Sequence, residues 1–298
     1  MAPWFKPKLV DISRKAVVSS SPVRRLLWRA SRWLYCVARG EQGNNDMRFN
    51  GEYYLQARVV DAARPEQELT IFDVGANRGE WTVALLKDVK KRRPDIRNLK
   101  VHAFEPTTTT RVFLTDRLVA EGFSGQVEVA GAAASDRSGN LRMAVMSPTG
   151  GTNSLVFDKT METAALGFIE VPLVTLDQYC LDRGIRHIQM AKCDTEGNDL
   201  NVMRGASRLL SAGAIDVFQF EYNHCWVRAG AFLKDVFELS DGLPYRVGRI
   251  MPDHVELFDS WHPELERFYQ SNYVLVKETA LSWFEARSGT FDQSNTYA

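Results

Sequence analysis

The chain has 298 residues with 37 basic and 37 acidic side chains, so its formal charge is zero, and 45% of it is hydrophobic. That leaves room for one large domain with extensions, or two small ones, in an ordinary globular composition. It argues against a dedicated nucleic-acid binder, whose basic footprint shows in composition, and no apolar run reaches the ~20 residues that cross a bilayer.

The four cysteines, Cys36, Cys180, Cys193 and Cys225, are scattered without a C-x-x-C pair. They suggest neither a zinc site nor a disulfide framework, so a reducing, cytoplasmic setting is expected. The first twenty residues lack the apolar core of a secretory signal. Residues 1–40 carry nine basic residues against the single acid Asp11. Within them Ser21-Pro22-Val23 reads as a helix start. From there Val23, Leu26, Leu27, Ala30, Trp33, Leu34 and Val37 share one face, with arginines mostly opposite. Two uses are open for such a helix: peripheral contact of residues 22–39 with the inner face of a membrane, or packing of its apolar face on the main domain or a second subunit. Residues 1–50 are therefore read as a basic helical extension.

Residues 41–50 are polar and read as a linker. A helix over 51–63 leads into an apolar strand, 69–74, that ends in Asp73. The turn Gly75-Ala76-Asn77-Arg78-Gly79 follows, and a helix over 80–93 with a strongly basic end that complements its dipole. A second strand, 99–104, ends at Glu105, and a helix covers 108–121. A third strand is expected over 126–133. Strands over 141–146 and 168–174, around a loop at 148–154, form a hairpin insertion. The fourth strand is 188–193, with a helix from Asp199, and the fifth is 217–222. The last two are 245–250 and 272–277. The tail from 286 to 298 is polar and expected to be mobile.

Strands alternating with helices predict an α/β fold with a mainly parallel, doubly wound sheet of seven strands. In such a sheet, ligands bind outside the carboxyl ends of the strands. Asp73, Glu105, Asp194, Glu196, Glu221 and His224 all fall on that rim. Glycine at a strand-to-helix turn lets the backbone approach a ligand. An acid closing the second strand suits ribose hydroxyls. The spacing is Asp-x-Gly-x-x-x-Gly and not G-x-G-x-x-G, which counts against a nicotinamide dinucleotide.

Five ordered motifs, Asp73-Val-Gly-Ala-Asn-x-Gly79, Phe104-Glu-Pro106, Leu176-Asp177, Lys192-x-Asp-Thr-Glu-Gly-x-Asp199 and Phe220-Glu-Tyr-Asn223, resemble the FkbM family of methyltransferases. The resemblance runs from about 70 to 277 and leaves the first 50 residues uncovered; Cys193 departs from it, at a strand position where packing is at stake. It implies a Rossmann-like class I methyltransferase domain over 51–285, S-adenosylmethionine as cofactor, and methyl transfer to an oxygen of a sugar, glycan or other natural product. Under that reading Asp73, Gly75, Asn77 and Gly79 surround the amino-acid end and ribose, and Asp194 also binds the cofactor. Glu105 holds the ribose hydroxyls, and Ala133, Ser135 and Asp136 flank the adenine.

A hydroxyl nucleophile calls for a general base. His224 is the first candidate, with Asp194 and Glu221 as rivals, and those two acids also suit a hard cation such as Mg²⁺. Glu196, Asn153, Ser154, Tyr222 and Trp226 are candidates for the acceptor side. His102, inside a strand, reads as a core histidine. The competing readings are a nicotinamide oxidoreductase, a nucleic-acid methyltransferase, for which no Asn/Asp-Pro-Pro-Tyr/Phe motif is present, and a membrane-surface scaffold that keeps the cofactor fold.

Overall fold

In the computed structural model, the described residues are 21–41, 45–148, 151–292 and 297. Lys6, Lys8, Arg14 and Lys15 of the basic extension, and Gly150 of the hairpin loop, lie outside them. Twelve strands are seen: β1 Leu69–Val74, β2 Leu99–Phe104, β3 Val127–Ala130, β4 Ala133–Ala134, β5 Gly139–Val145, β6 Gly167–Val174, β7 Ile188–Cys193, β8 Ile215–Tyr222, β9 Tyr245–Ile250, β10 Val255–Phe258, β11 Ser271–Lys277 and β12 Ala286–Ser288. Nine of them form one sheet in the order β12-β10-β9-β11-β8-β7-β1-β2-β3, and β4-β6-β5 form a smaller one.

The half from β3 to β8 is parallel. β11 then runs antiparallel between β8 and β9. The sheet is larger than the seven strands predicted. β10 pairs antiparallel with β9, and β12, in what was expected to be a mobile tail, pairs parallel with β10. Neither strand announces itself. β10 has four residues, and all three residues of β12 are exposed.

Helices cover both faces, and each face has its own apolar layer. Helices Glu52–Ala62, Glu80–Arg92 and Thr108–Ala120 pack on one side, where Leu55, Leu85, Leu86 and Leu114 are fully buried. Helices Leu176–Arg183, Asp199–Arg204, Ser207–Ser211 and Leu233–Ser240 cover the other, over Phe72, Phe104, Phe218 and Phe220. Every residue of β1 is buried, as expected of a strand covered on both faces. The basic end of helix Glu80–Arg92 needs no ligand. The following Arg93 donates to the Val60, Asp61 and Ala63 carbonyls at 2.9–3.0 Å and so ties off the helix Glu52–Ala62.

The N-terminal helix runs Ser21–Ala38 and buries none of its residues. Its far end is fixed to the sheet. Arg249, on β9, donates to Glu41 Oε1 at 2.8 Å, to Glu256 Oε2 at 2.9 Å and to the Arg39 carbonyl at 2.6 Å, while Ser271 holds the other Glu41 oxygen. Breaking such a buried ion cluster leaves an unpaired charge, which costs several kcal/mol.

Candidate functional site

The carboxyl ends of β1, β2, β7 and β8 open onto one rim, and two adjoining cavities lie there. The first is the smaller of the two and is partly open to solvent. Gly75, Asn77, Glu105 and Asp194 line it together with the apolar Phe104, Ala133, Ala134, Met143 and Leu155. Gly75 sits at φ +82°, and a Cβ there would stand 2.0 Å from the Asp194 carbonyl oxygen. Glycine is required because the ends of β1 and β7 touch at that point. The Glu105 carboxylate is mostly buried and accepts the Thr107 N–H at 2.8 Å. Burial raises its carboxyl above the usual range. The buried Asn77 Oδ1 has no hydrogen-bond partner.

The second cavity is larger and far more charged. Glu52, Lys192, Asp194, Glu196, Glu221 and His224 all line it, with the amides of Asn223 and Gln270. Lys192 is its pivot. The ammonium is buried, 3.3 Å from Asp194 and 3.6 Å from Asp73. Burial works against this cation, but Asp194, Asp73 and Glu52 together raise it above the ordinary lysine range. Asp73 is fully buried behind Gly75, and its Oδ2 accepts the Thr82 hydroxyl at 2.5 Å. Burial pushes its carboxyl up, while Lys192 and Thr82 pull it back. Glu52, brought from the helix before β1, accepts Gln219 Nε2 at 2.7 Å.

Gly75, Asn77, Gly151, Asp194 and Glu196 line both cavities. Two of the three described non-glycine residues with positive φ are in that set, Asn77 at +48° and Glu196 at +55°. Such a conformation is uncommon and is held by its surroundings. For Glu196 the surroundings are explicit. Ser154 Oγ donates to its carbonyl at 2.9 Å, and Cys225 Sγ donates to its Oε2 at 3.4 Å. Burial and the neighbouring Asp194 push the Glu196 carboxyl up to about 7. Asp199, buried behind Thr195, is raised to about 6 by burial and again by Asp194. Glu221 is raised by burial and by the same acids, but both its oxygens accept amide donors at 2.6 Å, from Gln270 and Asn223.

The structure thus brings Gly75, Asn77, Glu105, Ala133 and Asp194 to the first cavity, and Asp194, Glu221 and His224 to the second. It puts other candidates elsewhere. Asp73 supports the turn from behind. Gly79 caps the helix Glu80–Arg92 at φ +77°, where a Cβ would press on Leu114. Ser135 is buried beside Asn198, and Asp136 is exposed next to Arg137. Tyr222 and Trp226 are core residues and not an acceptor platform. Both are almost fully buried; Tyr222 donates to Glu266, and Trp226 Nε1 donates to the Glu221 carbonyl at 2.8 Å. Asn153 reaches the first cavity while accepting the Met146 and Ser147 N–H groups. Ser154 is a buried clasp, bonded to the Val156 and Glu196 carbonyls. His102 is a core histidine, 3.0 Å from the Tyr179 hydroxyl. Among the described residues no group of three or more His, Cys, Asp or Glu side chains could hold a metal ion, so the Mg²⁺ expectation finds no support there. Sequence reasoning missed Lys192 and Glu52 as the charge balance of the site. A lysine two residues before an acid at a strand end was the available signal.

The methyltransferase FkbM domain matches residues 73–267 of the chain. No curated protein matches it. Among solved structures, the chain is similar to a methyltransferase FkbM from Methylobacillus flagellatus, at 16% identity and TM-score 0.43 over 76% of this chain and half of that one. It is also similar to a precorrin-6y C5,15-methyltransferase from Geobacter metallireducens, at 12% identity and TM-score 0.38, over 75% of this chain and 88% of that one. A third is the N-terminal domain of human METTL16 in complex with SAH, at 9% identity and TM-score 0.40, over 76% of this chain and 68% of that one.

Proposed function

The chain belongs to the FkbM methyltransferase family, and on that premise we propose that it is an S-adenosylmethionine-dependent O-methyltransferase acting on a hydroxyl of a sugar, glycan or glycoconjugate. The carrying observation is the junction of two cavities, one mostly apolar and one charged, at Gly75, Asn77, Asp194 and Glu196.

The first cavity fits the cofactor. Its apolar walls suit an adenine, Glu105 presents a carboxylate to ribose hydroxyls, and Asn77 Oδ1 is an unused acceptor. When bound, S-adenosylmethionine supplies an electrophilic methyl group on a sulfonium. The second cavity suits a polyhydroxylated acceptor, since its carboxylates and amides offer many hydrogen-bonding groups.

Glu196 is the proposed general base. It faces both cavities, and its carboxyl, near 7, is poised for proton transfer at neutral pH. The rivals are committed elsewhere: Asp194 has an oxygen on Lys192, both Glu221 oxygens carry amide donors, and His224 is exposed at the outer rim. Lys192 positions Asp73 and Asp194, and the Ser154 clasp fixes the Glu196 backbone. These groups orient the acceptor hydroxyl and exclude water, which is where such a displacement gains most of its rate.

The test is incubation with a methyl-labelled donor and a panel of soluble sugars, glycans and non-sugar hydroxylated natural products, read by mass spectrometry. Label on a sugar hydroxyl is the expected result. Label only on a non-sugar acceptor replaces the acceptor class. Cofactor binding without turnover on any acceptor favours a scaffold.

A further inference from the structure

The N-terminal helix presents its apolar face to solvent. At 100° per residue, Val23, Leu26, Leu27, Trp33, Leu34 and Val37 fall within an arc of about 120°. Each is 45–68% exposed. The helix meets the body through the opposite side: Tyr35 contacts the Tyr269 ring, and the Arg32 guanidinium lies 4.9 Å over that ring. Packing of the apolar face on the main domain is therefore not what this fold does. The face is also held outward, because Arg39 and Glu41, just past the helix end, are locked into the buried cluster around Arg249.

Charge selects the occupant. The helix carries Arg24, Arg25, Arg29 and Arg32 and no acid. Arg29 and Arg24 flank the two edges of the apolar arc. A second copy packed on this face would bring arginine rows together with no carboxylate on either helix to pair with them. An anionic lipid surface takes both features at once: acyl chains accept the leucines, valines and Trp33, and headgroup phosphates pair with the arginines at the edges. We infer that Ser21–Ala38 is an in-plane anchor that docks this protein on an anionic phospholipid bilayer. At about 27 Å it lies on the surface, and no described helix is long and apolar enough to cross a membrane. Tyr269, which the helix abuts, is next to Gln270 on the wall of the charged cavity, so docking holds that wall close to the headgroups. The inference is independent of the methyltransferase reading.

The experiment is co-sedimentation of the full chain with vesicles of equimolar phosphatidylglycerol and phosphatidylcholine, against phosphatidylcholine alone, with size-exclusion chromatography in parallel. The wild type sediments with the anionic vesicles, more weakly as salt rises. The double variant Leu26→Asp, Leu34→Asp and the double variant Arg24→Glu, Arg29→Glu each bind about tenfold more weakly or worse. Both keep the wild-type melting temperature, because the altered side chains are exposed. The inference falls if the wild type ignores anionic vesicles, or if the variants bind as well as it does. It falls equally if the wild type is a dimer that Leu26→Asp, Leu34→Asp makes monomeric while vesicle binding is absent; the face then belongs to a second copy.

Discussion

The two cavities on the rim are built in different ways. The first is made by backbone and strand ends. Gly75 and Glu105 each come directly after a strand and Ala133 opens β4, and the cavity walls are mostly apolar apart from the carboxylates of Glu105, Asp194 and Glu196. The second is made by side chains from distant segments. Glu52, Lys192, Glu196 and Glu221 are balanced against one another by the fold. A pocket of the first kind depends on a turn that one stretch of chain encodes. A pocket of the second kind depends on charges that no single stretch contains, and its chemistry is set by their sum. Changes to the first should therefore alter cofactor binding, and changes to the second should alter rate, pH dependence and stability.

The largest expected effect lies at the junction. Glu196→Gln should lower kcat by about 10²–10⁴ and leave KM within a few-fold, by steady-state kinetics with whichever acceptor turns over. Wild-type activity should rise with pH through about 7 and lose that step in the variant. The stability sign is opposite. A carboxyl raised in the fold costs stability as pH climbs from its unfolded value to its folded one. Glu196→Gln should thus be more stable than wild type at pH 8, by about 1–3 kcal/mol, and close to it at pH 4. Equal unfolding midpoints in denaturant at both pH values would show that this carboxyl is not perturbed.

Lys192→Met comes next. It leaves Asp73, Asp194 and Glu52 with no cation among them. Removing one partner of a buried charge cluster costs about 3–5 kcal/mol. The loss should be greater at pH 8 than at pH 5, because the orphaned carboxyls favour protonation. A variant with unchanged denaturant stability would mean that these acids are better solvated than the geometry implies.

Tyr222→Phe should be the mildest change. It removes the donor to Glu266 and costs about 1–2 kcal/mol of stability. Acceptor KM should stay the same, since Tyr222 is in the core; a raised KM with unchanged stability would restore it to the acceptor side.

The legibility of these regions in the sequence follows the same division. β1, β2 and β7 were readable to the residue, because buried parallel strands are short apolar runs with polar ends. The Gly75 turn and Glu105 were readable because each is adjacent in sequence to its strand. Tyr222 was misplaced because β8 is buried on both faces, so alternation does not say which aromatic meets a cavity, and Trp226 because the helix Cys225–Ala229 is too short to show a face. β12 has no apolar signal, and its pairing with β10 is a tertiary event. The balance at Lys192 was only half legible: Lys192 stands two residues before Asp194, but Glu52 lies 140 residues earlier and only the fold brings it close. The N-terminal helix advertised an apolar face, but a sequence pattern cannot say what that face meets.

The most direct test of the central claim is calorimetric binding of S-adenosylhomocysteine to the wild type and to Glu105→Ala. The account predicts micromolar binding to the wild type. It predicts a loss of about tenfold to a hundredfold in the variant, whose melting temperature should change little. No binding to the wild type, or equal binding to both proteins, would contradict it.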